Sequence, residues 1–210
     1  MKKFLYLLLV ACLLPLTASA AGPEKYLEGT HYLLVTPAVP TADPKSIEVV
    51  ELFWYGCPHC FHFEPVLAEW LKTKPADVKF RRMPAVFAQQ WVPHARAMYA
   101  AEALGALDKL HRPLFDAIHT DKRRIYDEES ILAFAGELGF NVDKFRQAYD
   151  SPTVDGKVKM AMMATRDYGI DGVPSVIVNG KYRITASLAG SQEDILKVVD
   201  FLIAKERNAK

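Results

Sequence analysis

Cysteine is scarce in this sequence: its 210 residues contain three, at positions 12, 57 and 60. Three cysteines are too few for a fold that is held together mainly by disulfides. A long apolar run is also missing, because the longest, residues 4–16, falls short of the ~20 residues that span a bilayer. Charge of one sign is missing too, since 26 basic residues face 25 acidic ones. This balance gives no electrostatic indication of a nucleic-acid or membrane-surface partner.

The N-terminus has the pattern of a cleavable export signal. Two lysines at positions 2 and 3 precede the apolar run, and Ala18-Ser19-Ala20 supplies small residues for cleavage before Ala21. We therefore predict a signal peptide over residues 1–20, cut near Ala20, and a mature protein in an oxidising compartment. A second interpretation stays open, because Leu9-Val10-Ala11-Cys12 has the form of a lipoprotein cleavage box that would lipidate Cys12.

The two remaining cysteines form the motif Cys57-Pro58-His59-Cys60, which directly follows the apolar run 47–55. This placement predicts a Cys-x-x-Cys pair at the end of a strand and the start of a helix. Free amides and the helix dipole stabilise a thiolate there, so we expect Cys57 to be the reactive sulfur and Cys60 its buried partner. A metal cluster that includes His62 is the alternative, although a second ligand pair at longer spacing is missing.

The remaining pattern predicts an α/β sheet interrupted by helices. Helices are expected from Pro58, four or five times between residues 86 and 168, and from about Ser191. Asn179-Gly180 predicts a tight hairpin turn, and the β-α-β order around the first helix predicts parallel pairing. Strands are expected at residues 32–35, 47–55, 78–84, 176–178 and 181–184.

This order of elements resembles the thioredoxin fold interrupted by an all-helical insertion domain. Together with Cys57-Pro58-His59-Cys60 and Gly172-Val173-Pro174, it makes the chain similar to the DsbA family of thiol:disulfide oxidases. The resemblance implies four segments: a signal peptide at 1–20, a first thioredoxin-like part at 21–86, a helical insertion at 87–167 and a second thioredoxin-like part at 168–210.

The resemblance also implies an activity and its partners. A periplasmic oxidase of this family passes its disulfide to reduced exported polypeptides and is reoxidised by a quinone-linked membrane partner of the DsbB type. The size of the domain and the lack of an apolar heptad in the sequence predict a monomer. A cis peptide before Pro174 would place Val173 beside the disulfide to bind substrate. The resemblance implies no cofactor or metal, and His59 and Pro58 between the cysteines are expected to tune the thiolate.

Glu51 is the one acidic residue near the end of the apolar run before the motif, where an unpaired carboxylate would be costly. The predicted strand 78–84 supplies Arg82, at a position where the family more often has lysine. We therefore predict a Glu51–Arg82 pair beneath the disulfide that tunes Cys57. A purely structural salt bridge stays open as the alternative.

Two other functions remain open at this point. The first is a reductase or isomerase with the same fold, against which the Pro-His dipeptide argues because its histidine can stabilise the thiolate. The second is a binding protein or holdase whose disulfide is only structural. Four other histidines are expected at the surface or at helix caps, and three methionines in a helix core: His31, His94, His111, His119, Met160, Met162 and Met163.

Overall fold

The computed structural model describes residues 24–209, which form a five-stranded mixed sheet in the order β1-β5-β4-β2-β3. The predicted signal peptide, its cleavage position and Cys12 lie outside the described residues. Between residues 24 and 209, no helix is long and apolar enough to cross a membrane. The strands are β1 (Leu33–Leu34), β2 (Ile47–Phe53), β3 (Val78–Pro84), β4 (Ser175–Val178) and β5 (Tyr182–Thr185).

Strand β2 occupies the interior of the sheet, as its nearly continuous apolar sequence predicts. It pairs in parallel with β3 and antiparallel with β4, and all seven of its residues are buried. The strand ends at Phe53 rather than at Tyr55, because Trp54 and Tyr55 already belong to the turn that leads into the cysteine motif. This turn puts the motif at the carboxyl end of a rigid central strand.

Of the eight α-helices within residues 24–209, five lie between β3 and β4, preceded by a 3₁₀ turn at Gln89–Trp91. Three of them begin at residues whose side chains cap backbone amides of the first turn, namely Asp127, Asn141 and Ser151. The helices are α1 (Pro58–Thr73), α2 (Val92–Ala103), α3 (Leu107–His119), α4 (Glu128–Glu137), α5 (Val142–Tyr149), α6 (Pro152–Asp167), α7 (Ala186–Ala189) and α8 (Gln192–Asn208).

The hairpin between β4 and β5 turns at Asn179 and Gly180, which both have positive φ, at 51° and 67°. A turn with two such residues matches the twist of the strands. The Lys181 N–H donates to the Val178 carbonyl across it, and residues 179–181 separate the paired Val178 and Tyr182. Any side chain at position 180 would also collide with the carbonyl of Val39. The hairpin and the central β2 together confirm the predicted thioredoxin-like sheet.

Three apolar clusters form the core of the part of the chain that the structure describes. One lies between the sheet and helices α1 and α8, and a second lies on the other face of the sheet against α2 and α6. The third is built mainly from the inserted helices, but it also contains Phe53, Tyr55, Cys57 and Cys60. The cysteine motif therefore packs directly against the insertion, and the side chains of α3 can reach the residues below it.

Candidate active site

The cysteine motif begins helix α1 with Cys57 as the N-cap residue and Pro58 in the first turn. Pro58 lacks an N–H group that would be unpaired at this position anyway, so it fits without loss. Cys57 is 9% exposed and Cys60 is fully buried, and both are free thiols in this structure. His59 is exposed at the surface beside them. Only the Cys57 sulfur can therefore meet a large substrate.

The surroundings of Cys57 favour its thiolate. The pKa of Cys57 is lowered from 9.0 to about 6, and a hydrogen bond from the Cys60 thiol is the largest of the influences that lower it. Burial opposes this effect, while the first-turn amides of Cys60 and His59 and the charge of His59 support it. Burial raises the pKa of Cys60 well above 9.0. The sulfurs of Cys57 and Cys60 thus differ strongly in acidity. This difference makes Cys57 the candidate nucleophile and Cys60 its buried partner.

Val173 and Pro174 lie next to this pair, although they are more than a hundred residues away in sequence. The Cys57 thiol donates to the Val173 carbonyl oxygen at 3.4 Å, and the Val173–Pro174 peptide is cis, as the resemblance implies. An open groove of about 560 Å³ continues from this point across the surface. It is lined by His59, residues 171–174 and 185–187, Ser191 and Gln192.

A buried charge cluster lies beneath the motif. Glu51 and Arg82 are cross-strand neighbours in the parallel register of β2 and β3, and Arg82 Nε lies 3.2 Å from Glu51 Oε2. The predicted pair is therefore present. Its Nε–H does not point at the carboxylate, however, and neither oxygen of Glu51 has a hydrogen-bond donor among residues 24–209. Such a carboxyl holds its proton tightly, and burial, followed by the charge of Glu64, raises the pKa of Glu51 to about 8.

The sequence reasoning missed two members of this cluster, Glu64 and His111. Arg82 Nη2 donates to Glu64 Oε2 at 3.1 Å, and His111 Nε2 lies 3.1 Å from Glu64 Oε1. Glu64 follows Cys60 by four residues and so lies on the same buried face of α1. This spacing of four residues could have placed Glu64 beneath the motif from the sequence alone. It was overlooked because a charged residue is not expected on the buried face of a helix.

The prediction that the other histidines lie at the surface or at caps was wrong for two of them. His94 is 1% exposed and His111 is 6% exposed. His94 Nε2 contacts the Ile125 carbonyl, and burial lowers its pKa to about 4. His31 accepts a local backbone bond and His119 contacts the Tyr55 carbonyl at 2.7 Å. Among residues 24–209, no three His, Cys, Asp or Glu side chains are grouped so that they could hold a metal ion.

Gly56, directly before Cys57, is required by a stacked pair of indoles. Trp54 stacks on Trp91 with ring centroids 4.2 Å apart, and a Cβ at position 56 would lie 2.5 Å from the Trp54 ring. Trp91 covers one face of the Trp54 ring and so restricts its movement away from a new Cβ. We therefore expect Gly56→Ala to lower the free energy of unfolding in denaturant by about 1–3 kcal/mol.

Gly156→Ala is the matched control for this prediction. Gly156 lies inside helix α6 with nothing within 4 Å of a new Cβ. Alanine is the better helix former, so this change should stabilise the protein by ~0.5–1 kcal/mol. Equal changes in the free energy of unfolding for Gly56→Ala and Gly156→Ala would show that the Trp54 ring moves aside at no cost.

Comparison with known proteins agrees with this geometry. Residues 82–197 match the model of the family described as a DSBA-like thioredoxin domain. The chain is 41% identical over 202 residues to the thiol:disulfide interchange protein DsbA of Pseudomonas syringae, covering 96% of this chain and 94% of that protein. It is 40% identical over 190 residues to the protein of the same name from Pseudomonas aeruginosa, covering 90% of each chain.

Solved structures give the same result. The crystal structure of Pseudomonas aeruginosa DsbA superposes with a TM-score of 0.83 at 40% identity, covering 88% of this chain and 96% of that one. The oxidoreductase NmDsbA1 from N. meningitidis superposes with a TM-score of 0.77 at 30% identity, covering 87% and 95%. The cysteine pair, the sheet with its helical insertion and these similarities lead to one conclusion: the chain belongs to the DsbA family of thiol:disulfide oxidoreductases.

Proposed function

We propose that this protein works as an oxidase in the periplasm, where it donates its Cys57–Cys60 disulfide to reduced, newly exported polypeptides. The observation that supports this direction best is the low pKa of Cys57, about 6. Only the reduced protein carries the thiolate, so whatever stabilises this anion stabilises the reduced state. The disulfide then accepts electrons readily from ordinary protein thiols.

The proposed cycle has two exchange steps. A substrate thiolate attacks the Cys57 sulfur, a mixed disulfide forms, and Cys60 leaves as a thiolate that takes up a proton. A second substrate thiolate then attacks the substrate sulfur of the mixed disulfide and expels Cys57 as its thiolate. Two electrons have passed from the substrate to the protein, and the substrate holds a new disulfide. A low pKa of the leaving thiol accelerates the second step.

Substrate binding is assigned to the surface beside Cys57. Its sulfur lies 3.4 Å from the Val173 carbonyl, so a polypeptide joined to Cys57 would run along Val173 and Pro174. An extended segment can pair there with the exposed backbone in the manner of an added strand. His59, Pro58, Glu51 and Arg82 are assigned to tuning the thiolate, the first two from the helix start and the last two from below.

The partners follow from the same chemistry. After each cycle the dithiol needs an electron acceptor, which we assign to a quinone-linked membrane oxidase of the DsbB type. The protein itself then needs no cofactor or metal. The signal pattern over residues 1–20 supports export with cleavage near Ala20, and we propose that the mature protein acts as a monomer.

The pH dependence of Cys57 alkylation tests this function. With a pKa of about 6, Cys57 is ~90% thiolate at pH 7, so iodoacetamide should modify it with a midpoint near pH 6. Because the folded pKa lies below that of an ordinary thiol, the thiolate stabilises the reduced protein above pH 9. That stabilisation shrinks as the pH falls from 9 and is lost once the pH falls through 6. A midpoint of Cys57 alkylation near pH 9 would contradict the proposed oxidase function.

Equilibration with glutathione separates the alternatives. An oxidase should be reduced by glutathione concentrations that leave a reducing thioredoxin-like protein oxidised. A holdase with a structural disulfide should resist reduction altogether. The alkylation and glutathione measurements together therefore decide both the presence of the reactive thiolate and the direction of electron flow.

A further inference from the structure

We propose that His111, on the inserted helix α3, is a positioning residue that keeps the charge of the buried carboxyl pair on Glu64 and leaves Glu51 protonated. The inference deepens the proposed function and rests on it, because Glu51 is the carboxyl whose charge acts on Cys60. The inserted helices would then help to set the redox equilibrium of the disulfide, in addition to covering it.

The hydrogen bonds around His111 have a fixed direction. Its Nε2 lies 3.1 Å from Glu64 Oε1, and its Nδ1 lies 2.9 Å from the Tyr55 hydroxyl. A carboxylate can only accept, so Nε2 carries the proton and donates to Glu64. In the neutral ring Nδ1 must then accept from Tyr55. The hydroxyl and the imidazole thus form a chain of two donors that points at Glu64.

The ring of His111 is held in this orientation. Its centroid lies 5.2 Å from that of Phe53 and 5.3 Å from that of Phe115, in edge-to-face contact with both. Burial lowers the pKa of His111, although the hydrogen bond and charge of Glu64 oppose this. The histidine therefore serves as a neutral, directed N–H donor rather than as a counter-ion.

Glu64 and Glu51 differ in the hydrogen bonds that their carboxyl groups accept. Glu64 accepts directed hydrogen bonds from His111 and Arg82, whereas Glu51 has only a misdirected ion-pair contact with the same guanidinium. Two buried carboxylates that share one cation cannot both stay ionised, so one proton remains between them. Hydrogen bonds to a charged form favour that form, and the proton therefore resides on Glu51.

The other titratable groups near the two carboxyls do not change which of them holds the proton. Arg82 on β3 is the only cation paired with either carboxyl among residues 24–209. Cys60 on α1 and Tyr55 after β2 stay protonated because burial raises the pKa of each. Asp108 on α3 is exposed and has only the smallest influence on His111.

His111→Leu tests the inference, because it removes the donor and keeps an apolar side chain between Phe53 and Phe115. Glu51 should then carry more of the negative charge and oppose the thiolate. The charge of Glu51 acts on Cys60, whose thiol donates to the Cys57 thiolate, so the alkylation midpoint of Cys57 should rise and the equilibrium constant with glutathione should move toward the oxidised protein. A midpoint that rises from about pH 6 to pH 7 corresponds to about a fivefold change in that constant at pH 7. His111→Gln retains an N–H donor and should restore both readouts to within about twofold of wild type.

Two further variants keep the test decisive. His94→Leu removes another buried histidine of the insertion, one without a carboxyl partner, and should lower thermal stability while both redox readouts stay at wild-type values. Tyr55→Phe removes the first donor of the chain and should shift both readouts in the direction of His111→Leu, but less. If His111→Leu does not fold, this variant and His111→Gln decide.

The outcomes are separable. Wild-type readouts in His111→Leu and Tyr55→Phe, or a His111→Gln variant no closer to wild type than His111→Leu, would overturn the role of His111 and leave the oxidase assignment intact. An ordinary midpoint near pH 9 in the wild-type protein would overturn the proposed function instead.

Discussion

Cys57→Ser is expected to abolish disulfide exchange, while Cys60→Ser is expected to accumulate a mixed disulfide with a peptide substrate. In Cys60→Ser, the Cys57 thiolate attacks a disulfide-containing peptide, forms a mixed disulfide and expels one peptide thiolate. No second protein thiol is present to complete reduction of the peptide, so the mixed disulfide should accumulate until a peptide thiolate attacks it and reverses the step. Mass spectrometry after acid quenching should detect the peptide adduct on Cys60→Ser and none on Cys57→Ser.

Exposure and acidity explain why the two serine variants differ. Cys60 is fully buried and its pKa lies well above 9.0, so less than ~1% of it is thiolate at pH 7. Cys57 is ~90% thiolate under the same conditions. Alkylation at pH 7 should therefore be at least about a hundredfold slower in Cys57→Ser than in Cys60→Ser.

Cys60→Ala is the control for the hydrogen bond between the two sulfurs. The Cys60 thiol contributes the largest lowering of the Cys57 pKa, and a serine hydroxyl can still donate whereas alanine cannot. The alkylation midpoint should consequently be higher in Cys60→Ala than in Cys60→Ser. An adduct on Cys57→Ser, or equal alkylation rates in the two serine variants, would reverse the assignment of nucleophile and partner.

Arg82→Met is expected to cause the largest loss of stability. Arg82 is paired with both Glu51 and Glu64, whose side chains are 0% and 7% exposed. Its removal leaves two buried carboxyls with no cation, which typically costs ~3–5 kcal/mol. Urea unfolding at pH 7.5 measures this cost directly.

The loss should shrink as the pH falls. In the wild-type protein burial raises the pKa of Glu64, but the hydrogen bond from His111 and the charge and hydrogen bond of Arg82 outweigh burial and lower it. Without Arg82 the folded pKa rises above that of the unfolded chain. A carboxyl of that kind penalises folding at high pH, and the penalty disappears once it is protonated. Between pH 7.5 and 5 the deficit of Arg82→Met should therefore diminish.

Arg81→Met supplies a control on the same strand. Arg81 pairs with Glu48 at 3.0 Å, but its side chain is 41% exposed. Solvent screens such a pair, so the loss should be about 1 kcal/mol and change little with pH. Equal losses in the two variants, or an Arg82→Met deficit that does not depend on pH, would argue against a buried charge cluster.

The sequence was sufficient to predict what depends on local pattern. The apolar run of β2, the Pro58 start of α1 and the Asn179-Gly180 turn all correspond to elements of the structure. The Glu51–Arg82 pair was predictable because a lone carboxylate in a buried strand needs a partner and the next parallel strand supplies one in register.

Features that depend on packing between distant segments were not predictable. Nothing in the sequence around His111 shows that α3 docks its inner face on the active-site helix, so the residue could not be placed beside Glu64. The three methionines of α6 were wrongly predicted to be core. The buried face of that helix is instead formed by Val154, Val158, Ala161 and Thr165, which leaves Met160, Met162 and Met163 between 37% and 68% exposed.

The order of the strands also has a consequence for biogenesis. Strand β4 lies between β2 and β5 in the sheet, yet it follows β2 in the chain by more than a hundred residues. A polypeptide that emerges amino terminus first from a translocation pore presents its two cysteines long before Val173 arrives to complete their surroundings. Until then one edge of β2 is unpaired, and an unpaired strand edge can associate with other chains.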